Sequence, residues 1–210
     1  LRLSDAIAHG KRVALFLDYD GTLREIERDP AQARPNEAVR TLLDRLAKTD
    51  VDVTLISGRR AEELERWFGS YSFGLIAEHG AFLRRPGENE WRQMDQGISY
   101  AWKDEILKVL RQFEGHTPGA FVEEKGTSLV WHYRKSDPEF GEYKARMLAA
   151  ELGLLASNEP VVIRQGDKIV EVVAAQINKG AAVRNIVEPE QYDLIICAGD
   201  DATDESMFSL

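Results

Sequence analysis

The sequence predicts an α/β fold, a Rossmann-like parallel sheet with an inserted α+β domain. The first observation is an unbroken apolar run, Val13–Leu17, which is typical of a strand buried on both faces. The second is a helical pattern that separates this run from another strand pattern, Val51–Ile56, as in a right-handed βαβ unit. The third is a change to helix, hairpin, helix, hairpin over residues 83–176, which indicates a separate α+β layer.

Composition and charge exclude several classes of protein. The 210 residues are 43% hydrophobic and 30% charged, as in a globular domain, and no apolar run reaches membrane-spanning length. A net charge of −9 argues against nucleic acid as a partner. The single cysteine, Cys197, excludes a disulfide framework. Because the chain begins with Leu1 and lacks a signal-peptide pattern, we expect a cytoplasmic protein, or a domain cut from a longer chain.

The first part of the chain contains strand patterns that end in polar residues. The first strand runs into Asp18 and Asp20, the second into Ser57-Gly58-Arg59, and a third, Phe73–Ala77, into Glu78. A last apolar run ends in an acidic segment, Gly199-Asp200-Asp201-Ala202-Thr203-Asp204-Glu205. Helical spacing predicts helices between these strands, beginning after Pro35-Asn36, near Ala61 and after Asn178-Lys179-Gly180.

The change of pattern after Phe82 sets the predicted domain boundaries. A charged hairpin or linker follows, and then helices and strands alternate at 98–113, 120–124, 128–133, 138–153, 161–164 and 168–173. We therefore expect a core made of residues 1–82 and 177–210, and an inserted α+β domain at 83–176. An open sheet would normally continue beyond Leu210, so we expect that the C-terminal part of the core is missing.

The carboxyl ends of parallel strands meet at one edge of the sheet, which is where ligands bind in such folds. The residues collected there are Asp18, Asp20, Ser57, Lys179, Asp200, Asp201 and Asp204. For the first strand alone, a simple turn at Asp20-Gly21 explains the pattern as well as an active site does. Several carboxylates at one point favour a cation, and oxygen ligands with a substrate phosphate suit Mg²⁺. An ionised aspartate beside such a metal can attack phosphorus while a second carboxyl group moves protons.

The four polar strand ends resemble the ordered motifs of the haloacid dehalogenase-like phosphatases, and residues 83–176 resemble the cap domain of that superfamily. A closer resemblance is to trehalose-6-phosphate phosphatases, including the phosphatase domain of two-domain trehalose synthase/phosphatase proteins. The residues that carry it are Ala77-Glu78-His79-Gly80, Val122-Glu123-Glu124-Lys125, Ser128-Leu129-Val130-Trp131-His132-Tyr133-Arg134, Asp137-Pro138-Glu139-Phe140-Gly141 and Glu171-Val172. One departure is Val173-Ala174-Ala175, where the family often has Arg-Pro.

The resemblance implies a role for each residue of the predicted catalytic site. It makes Asp18 the nucleophile and Asp20 the general acid and base, with phosphate held by Ser57 and Lys179. It also implies Mg²⁺ bound by Asp18, the backbone carbonyl of Asp20, and Asp200.

The resemblance further implies a sugar-binding set in the inserted domain. Glu123, Lys125 and Glu171 match the positions that the family uses to hold disaccharide hydroxyls, although Glu123 and Lys125 alone resemble an ordinary surface ion pair. Arg59 is interpreted as a phosphate contact, with a role at the helix start as the alternative. The implied function is Mg²⁺-dependent hydrolysis of trehalose 6-phosphate, with a fused or associated trehalose-6-phosphate synthase as a possible partner. The alternatives are hydrolysis of another sugar phosphate, and a non-catalytic regulatory domain fused to a glycosyltransferase.

Overall fold

The computed structural model describes residues 3–27, 30–94 and 97–209. In chain order the helices are α1 (Leu3–Ala8), α2 (Glu37–Leu46), α3 (Ala61–Phe68), α4 (Lys103–Gly115), α5 (Pro138–Leu155), α6 (Lys179–Ile186) and α7 (Glu205–Phe208). The strands are β1 (Val13–Asp18), β2 (Val51–Ile56), β3 (Gly74–Ala77), β4 (Phe82–Arg84), β5 (Arg92–Gln93), β6 (Phe121–Glu124), β7 (Ser128–His132), β8 (Val161–Gly166), β9 (Ile169–Ala174) and β10 (Leu194–Ala198). Short 3₁₀ helices lie at Pro30–Gln32, Glu78–Gly80 and Pro189–Gln191. The chain divides into two compact units, residues 1–95 with 177–210 and residues 96–176.

The first unit is built on a six-stranded sheet in the order β10-β1-β2-β3-β4-β5. The strands from β10 to β3 are parallel, and β4 and β5 are antiparallel additions. Alternate residues of β1 enter different clusters, with Leu15 in the layer formed by α2 and α3 and Phe16 in the layer formed by α6 and α7. Helices therefore cover both faces of the sheet, which confirms the predicted α/β class and explains why β1 is apolar throughout.

Residues 83–94 extend the sheet of the first unit, so the unit boundary lies later than the predicted boundary after residue 82. The physical reason is Arg84, whose side chain is only 1% exposed. Its guanidinium donates to both carboxylate oxygens of Glu65 at 3.1 Å and to the carbonyl of Tyr71 at 3.2 Å. The indole of Trp91 donates to the same Glu65 at 2.9 Å. These bonds hold the β4–β5 hairpin against α3.

The second unit is an antiparallel four-stranded sheet in the order β6-β7-β9-β8. The predicted hairpins pair with each other through β7 and β9, so they form one sheet. Helices α4 and α5 pack on one face of this sheet, around Trp131, which is fully buried against Phe113 and Leu148. Because side chains alternate along a strand, the residues between these core positions lie on the opposite face.

None of the helices in the described part of the chain is both long enough and apolar enough to cross a membrane.

Candidate active site

Strand β1 places two acidic residues at the carboxyl edge of the first sheet. All of β1 is buried between β10 and β2, and Asp18 is its last residue, with 4% of its surface exposed. Asp20 follows in a tight loop closed by the Gly21 N–H, which donates to the Arg24 carbonyl at 2.7 Å. Both carboxylates therefore lie at the edge where open α/β sheets bind their ligands.

The loop after β10 approaches the loop after β1 very closely. Gly21 has a φ of +96°, and a Cβ at this position would lie 2.1 Å from Oδ2 of Asp200. The hydroxyl of Thr22 donates to Oδ1 of Asp200 at 3.1 Å. Glycine is therefore required at position 21 for two reasons, its backbone conformation and the space that the Asp200 carboxylate occupies.

Helix α6 brings Lys179 to the same carboxylates. The helix is capped by the side chain of Asn178, which accepts a hydrogen bond from the Ala181 N–H at 2.8 Å. Nζ of Lys179 lies 2.6 Å from Oδ1 of Asp18 and 2.6 Å from Oδ1 of Asp204. All three side chains are almost completely buried. The ammonium group therefore joins the ends of β1 and β10.

Asp204 organises the acidic loop. Its Oδ2 accepts the N–H of Asp200 at 3.1 Å and the N–H of Asp201 at 3.2 Å, while Oδ1 binds Lys179. A Cβ at Gly199 would lie 2.1 Å from Cγ of Asp204, so the loop folds tightly around this carboxylate. The side chain of Asp201, in contrast, accepts from Thr203 within its own turn.

Burial and charge act in opposite directions on Asp18 and Lys179. Burial raises the pKa of Asp18 to about 7, although the adjacent ammonium lowers it. Burial alone would lower the pKa of Lys179, but Asp18 and Asp204 outweigh it and hold this pKa above its usual value. One ammonium thus contacts two buried carboxylates. The three side chains together carry a net negative charge when both carboxylates are ionised.

The acidic cluster has the ligands for a divalent cation. Asp18, Asp200 and Asp204 each place one carboxylate oxygen within 4.8 Å of the others. Oδ2 of Asp18 is buried and has no hydrogen-bond partner among the described residues, which is costly unless a cation joins it. Both oxygens of Asp204 already accept hydrogen bonds. The oxygens best suited to Mg²⁺ therefore belong to Asp18 and Asp200.

The carboxylate of Asp20 points to Arg59 instead of to the acidic cluster. Nε and Nη2 of Arg59 donate to its two oxygens at 2.8 and 2.7 Å, and Nη1 lies 3.3 Å from Oε1 of Glu63. The guanidinium carbon lies 4.7 Å from the centre of a Trp67 ring. The hydroxyl of Ser57 is 3.4 Å from Oδ2 of Asp20. Asp20, Ser57 and Arg59 thus form one polar group, and a phosphate contact by Arg59 stays a prediction.

In the second unit, Glu123 and Glu171 lie on the sheet face opposite the helices. Each pairs with Val130 across a neighbouring strand, so both carboxylates belong to one row of the sheet. Nε2 of His132 lies 3.0 Å from Oε2 of Glu123, and the hydroxyl of Ser128 donates to Oε1 of Glu171 at 2.8 Å. Both carboxylates therefore have a side-chain partner that fixes their orientation.

The structure brings together the predicted core residues, but sequence reasoning missed several of their partners. Asp204 was recognised as an acid at the edge and was given no role, although its spacing from Asp200 within a turn is a usable signal. His132 and Ser128 belong to a segment that carries the family resemblance, but no role could be assigned to them from the sequence, because only the strand register places them beside Glu123 and Glu171. The predicted metal ligand at the backbone carbonyl of Asp20 stays a prediction.

The fold is that of the haloacid dehalogenase-like hydrolases. One such hydrolase from Bacteroides thetaiotaomicron has a TM-score of 0.69 over 94% of this chain and 85% of its own, at 14% sequence identity. Within that fold, the sequence model of the trehalose-phosphatase family matches residues 16–210. The chain belongs to the trehalose-phosphatase family.

Individual relatives agree with this assignment. The structure of the C. albicans trehalose-6-phosphate phosphatase C-terminal domain has a TM-score of 0.91 and 34% identity, and covers 98% of this chain and 75% of that chain. A trehalose-phosphatase of Schizosaccharomyces pombe is 40% identical over 92% of this chain and 24% of its own length. An alpha,alpha-trehalose-phosphate synthase of Dictyostelium discoideum is 41% identical over 98% of this chain and 26% of its own. The chain spans about a quarter of the length of these two curated relatives.

Proposed function

We propose that this chain is a Mg²⁺-dependent phosphatase that hydrolyses trehalose 6-phosphate to trehalose and phosphate through an aspartyl-phosphate at Asp18. The observation that carries the proposal is the buried Asp18 carboxylate, with one oxygen on Lys179 and the other without a hydrogen-bond partner among the described residues. A group held in this way is oriented by one oxygen and available through the other. Family membership supports the reaction class.

In the first step, the Asp18 carboxylate attacks phosphorus, the bond from phosphorus to the sugar oxygen breaks, and that oxygen takes a proton from Asp20. The ammonium of Lys179 keeps Asp18 in place and offsets the charge of the incoming phosphoryl oxygens, and the Ser57 hydroxyl is placed to donate to one of them. Mg²⁺, held by Asp18, the backbone carbonyl of Asp20 and Asp200, would supply further positive charge at those oxygens.

In the second step, water attacks phosphorus and the bond from phosphorus to Asp18 breaks, which releases phosphate and restores the carboxylate. Asp20 takes the proton from that water, so it serves as acid and then as base. Its bidentate contact with Arg59 fixes the orientation of the Asp20 side chain before substrate arrives. We therefore expect Asp20 to exchange this contact for the sugar oxygen during turnover.

Asp20→Asn should lower kcat for trehalose 6-phosphate by about 10²–10⁴-fold, because the amide can neither give nor take the proton. Metal affinity should persist, since the acidic cluster does not include the Asp20 side chain. Steady-state kinetics and calorimetric Mg²⁺ titration measure the two effects. The matched control is Asp201→Asn, because Asn can still accept the hydrogen bonds from Thr203. Equal losses in the two variants would contradict the assigned role.

We propose that the second unit selects the sugar through Glu123, Lys125 and Glu171. In this mechanism the core residues act on the phosphate and on the oxygen that joins it to the sugar, which all sugar phosphates share. Carboxylates held by His132 and Ser128 can each accept bonds from several hydroxyls. Discrimination arises because a wrong sugar leaves such groups unpaired.

Glu123→Gln and Glu171→Gln should each lower kcat/KM for trehalose 6-phosphate by about tenfold or more, since hydrogen bonds to charged groups contribute about 1.5–3 kcal/mol. Hydrolysis of p-nitrophenyl phosphate, which has no sugar, should change less than about twofold. The control is Glu124→Gln on the same strand, whose carboxylate pairs with Arg111. Equal losses on both substrates would show that these carboxylates support the fold and not the sugar.

The alternatives to this function differ in which sugar phosphate, if any, the chain hydrolyses. Phosphate release with and without Mg²⁺ from trehalose, sucrose and glucose 6-phosphates tests all of them. We expect trehalose 6-phosphate to give the highest kcat/KM. A higher value for another sugar would support the alternative substrate, and no release from any would support a non-catalytic domain. The convergence of Asp18, Lys179 and Asp200 favours an active enzyme.

A trehalose-6-phosphate synthase, fused or associated, is the partner we propose. The support is the Dictyostelium relative, which carries the synthase name and of which this chain matches only a part. The cytoplasmic location stays a prediction.

A further inference from the structure

Lys103 holds the turn that joins β6 to β7. Its Nζ donates to the backbone carbonyl of Lys125 at 2.7 Å and to that of Gly126 at 2.6 Å. The ammonium also lies 5.0 Å from the ring centre of Tyr100 and 5.9 Å from that of Trp102. Two consecutive carbonyls of the turn thus share one cation, which leaves the turn little freedom to change its backbone conformation.

The position of Lys103 in α4 is unfavourable for the helix itself. It is the first residue of α4, and a cation at a helix N-terminus opposes the helix dipole by about 0.3–1 kcal/mol. The preceding residue, Trp102, provides no side-chain cap. The helix therefore gives no reason for a lysine here, whereas the contacts with the turn do.

The turn connects the residues that we assign to sugar binding. It contains Lys125, whose N–H donates to the Ser128 carbonyl at 3.0 Å, and it begins after Glu124, the residue that follows Glu123 and ends β6. Ser128 begins β7 and donates to Glu171. A shift of the turn backbone would consequently move Lys125 and disturb the partner of Glu171.

We propose that Lys103 is a positioning residue for sugar selection, which fixes the turn that presents Lys125. This proposal rests on the proposed function, because it assigns the turn to the sugar of trehalose 6-phosphate. Glu123 and Glu171 are oriented by side-chain partners, and Lys103 does the same for the turn through its backbone. Binding groups fixed before substrate arrives lose less conformational entropy on binding.

The test is Lys103→Met, measured on trehalose 6-phosphate and on p-nitrophenyl phosphate. We expect kcat/KM for the sugar phosphate to fall about tenfold, mainly through KM, with the generic ester within about twofold of wild type. Lys103→Arg should recover most of the loss, since it keeps donors and charge. Lys108→Met, an exposed lysine of the same helix, is the matched control and should match wild type.

Two results would count against the proposal. Equal losses on both substrates would mean that Lys103 only stabilises the unit, and thermal unfolding of each variant would show the same loss. Wild-type kcat/KM of Lys103→Met on both substrates would show that the turn needs no anchor. If Lys103→Met does not fold, Lys103→Gln, which keeps a donor, gives the same comparison. A wild-type chain that prefers another sugar phosphate would instead overturn the proposed function, and with it the assignment of this turn to trehalose.

Discussion

Asp18→Asn should abolish phosphate release from trehalose 6-phosphate, with a fall in kcat on the order of 10⁴–10⁶-fold, as for other lost nucleophiles. The amide nitrogen cannot attack phosphorus, and the variant also loses a charged oxygen of the acidic cluster. The carboxylate is already disfavoured by burial, which raises its pKa to about 7, so the neutral amide should not destabilise the fold. Phosphate release and thermal unfolding of the same preparation measure both effects.

A folded Asp18→Asn variant that retained substantial activity on trehalose 6-phosphate would contradict covalent catalysis at this residue. Loss of activity with loss of fold would be uninformative alone, so Asp18→Ser, which is smaller and also uncharged, serves as a second variant. Both should bind Mg²⁺ more weakly than wild type. Unaltered Mg²⁺ affinity would remove Asp18 from the ligand set.

Lys179→Met should be the most destabilising of these substitutions. It leaves Asp18 and Asp204 buried side by side without the ammonium that both contact at 2.6 Å. Breaking a buried ion pair in this way typically costs about 3–5 kcal/mol. Activity should fall as well, because phosphate enters a site with no positive side chain in contact with Asp18. Urea denaturation with and without Mg²⁺ measures the stability, and the cation should restore part of it.

Two comparisons make the Lys179 result specific. Lys48→Met removes an exposed lysine of the same unit and should leave stability within about 0.5 kcal/mol of wild type. The double variant with Asp204→Asn should recover part of the loss, because it removes one of the two unpaired charges. Unchanged stability of Lys179→Met would mean that the ammonium does not neutralise a buried carboxylate pair.

The parallel core could be predicted because its central strand, β1, is buried along its whole length. β2 and β10 have the predicted bounds, and β1 continues one residue beyond its predicted apolar run, through Asp18, since apolar strand patterns with sharp polar ends leave little choice of register. The convergence of Asp18, Lys179 and Asp200 then follows from topology alone. The class of the site could therefore be predicted from the sequence.

The strands of the hairpin at residues 82–93 could not be predicted from the sequence pattern. β4 and β5 are three and two residues long, too short for an alternating pattern, and their attachment depends on the buried Arg84. Charged composition suggested a hairpin or a linker. The structure has the hairpin, and the charge of Arg84 is paired internally with Glu65. α4 also begins at Lys103 and not at residue 98, after a turn in which the Lys103 N–H donates to the Tyr100 carbonyl at 3.0 Å.

The contacts between side chains within the site could also not be predicted from the sequence. Arg59 of the Ser57-Gly58-Arg59 motif donates to Asp20, a contact that the sequence does not indicate, and its contact with phosphate stays a prediction. Spacing along a chain indicates which residues share an edge, and it does not indicate which of several acids a given cation will contact. The roles of His132, Ser128 and Lys103 depend in the same way on register and on contacts between elements.

The most direct test of the account is a rapid acid quench of the wild-type chain during turnover of trehalose 6-phosphate labelled at phosphorus, followed by peptide mapping. We expect label on the peptide that contains Asp18, dependent on Mg²⁺ and absent from Asp18→Asn. Turnover without label on any peptide, or label at a residue other than Asp18, would contradict it.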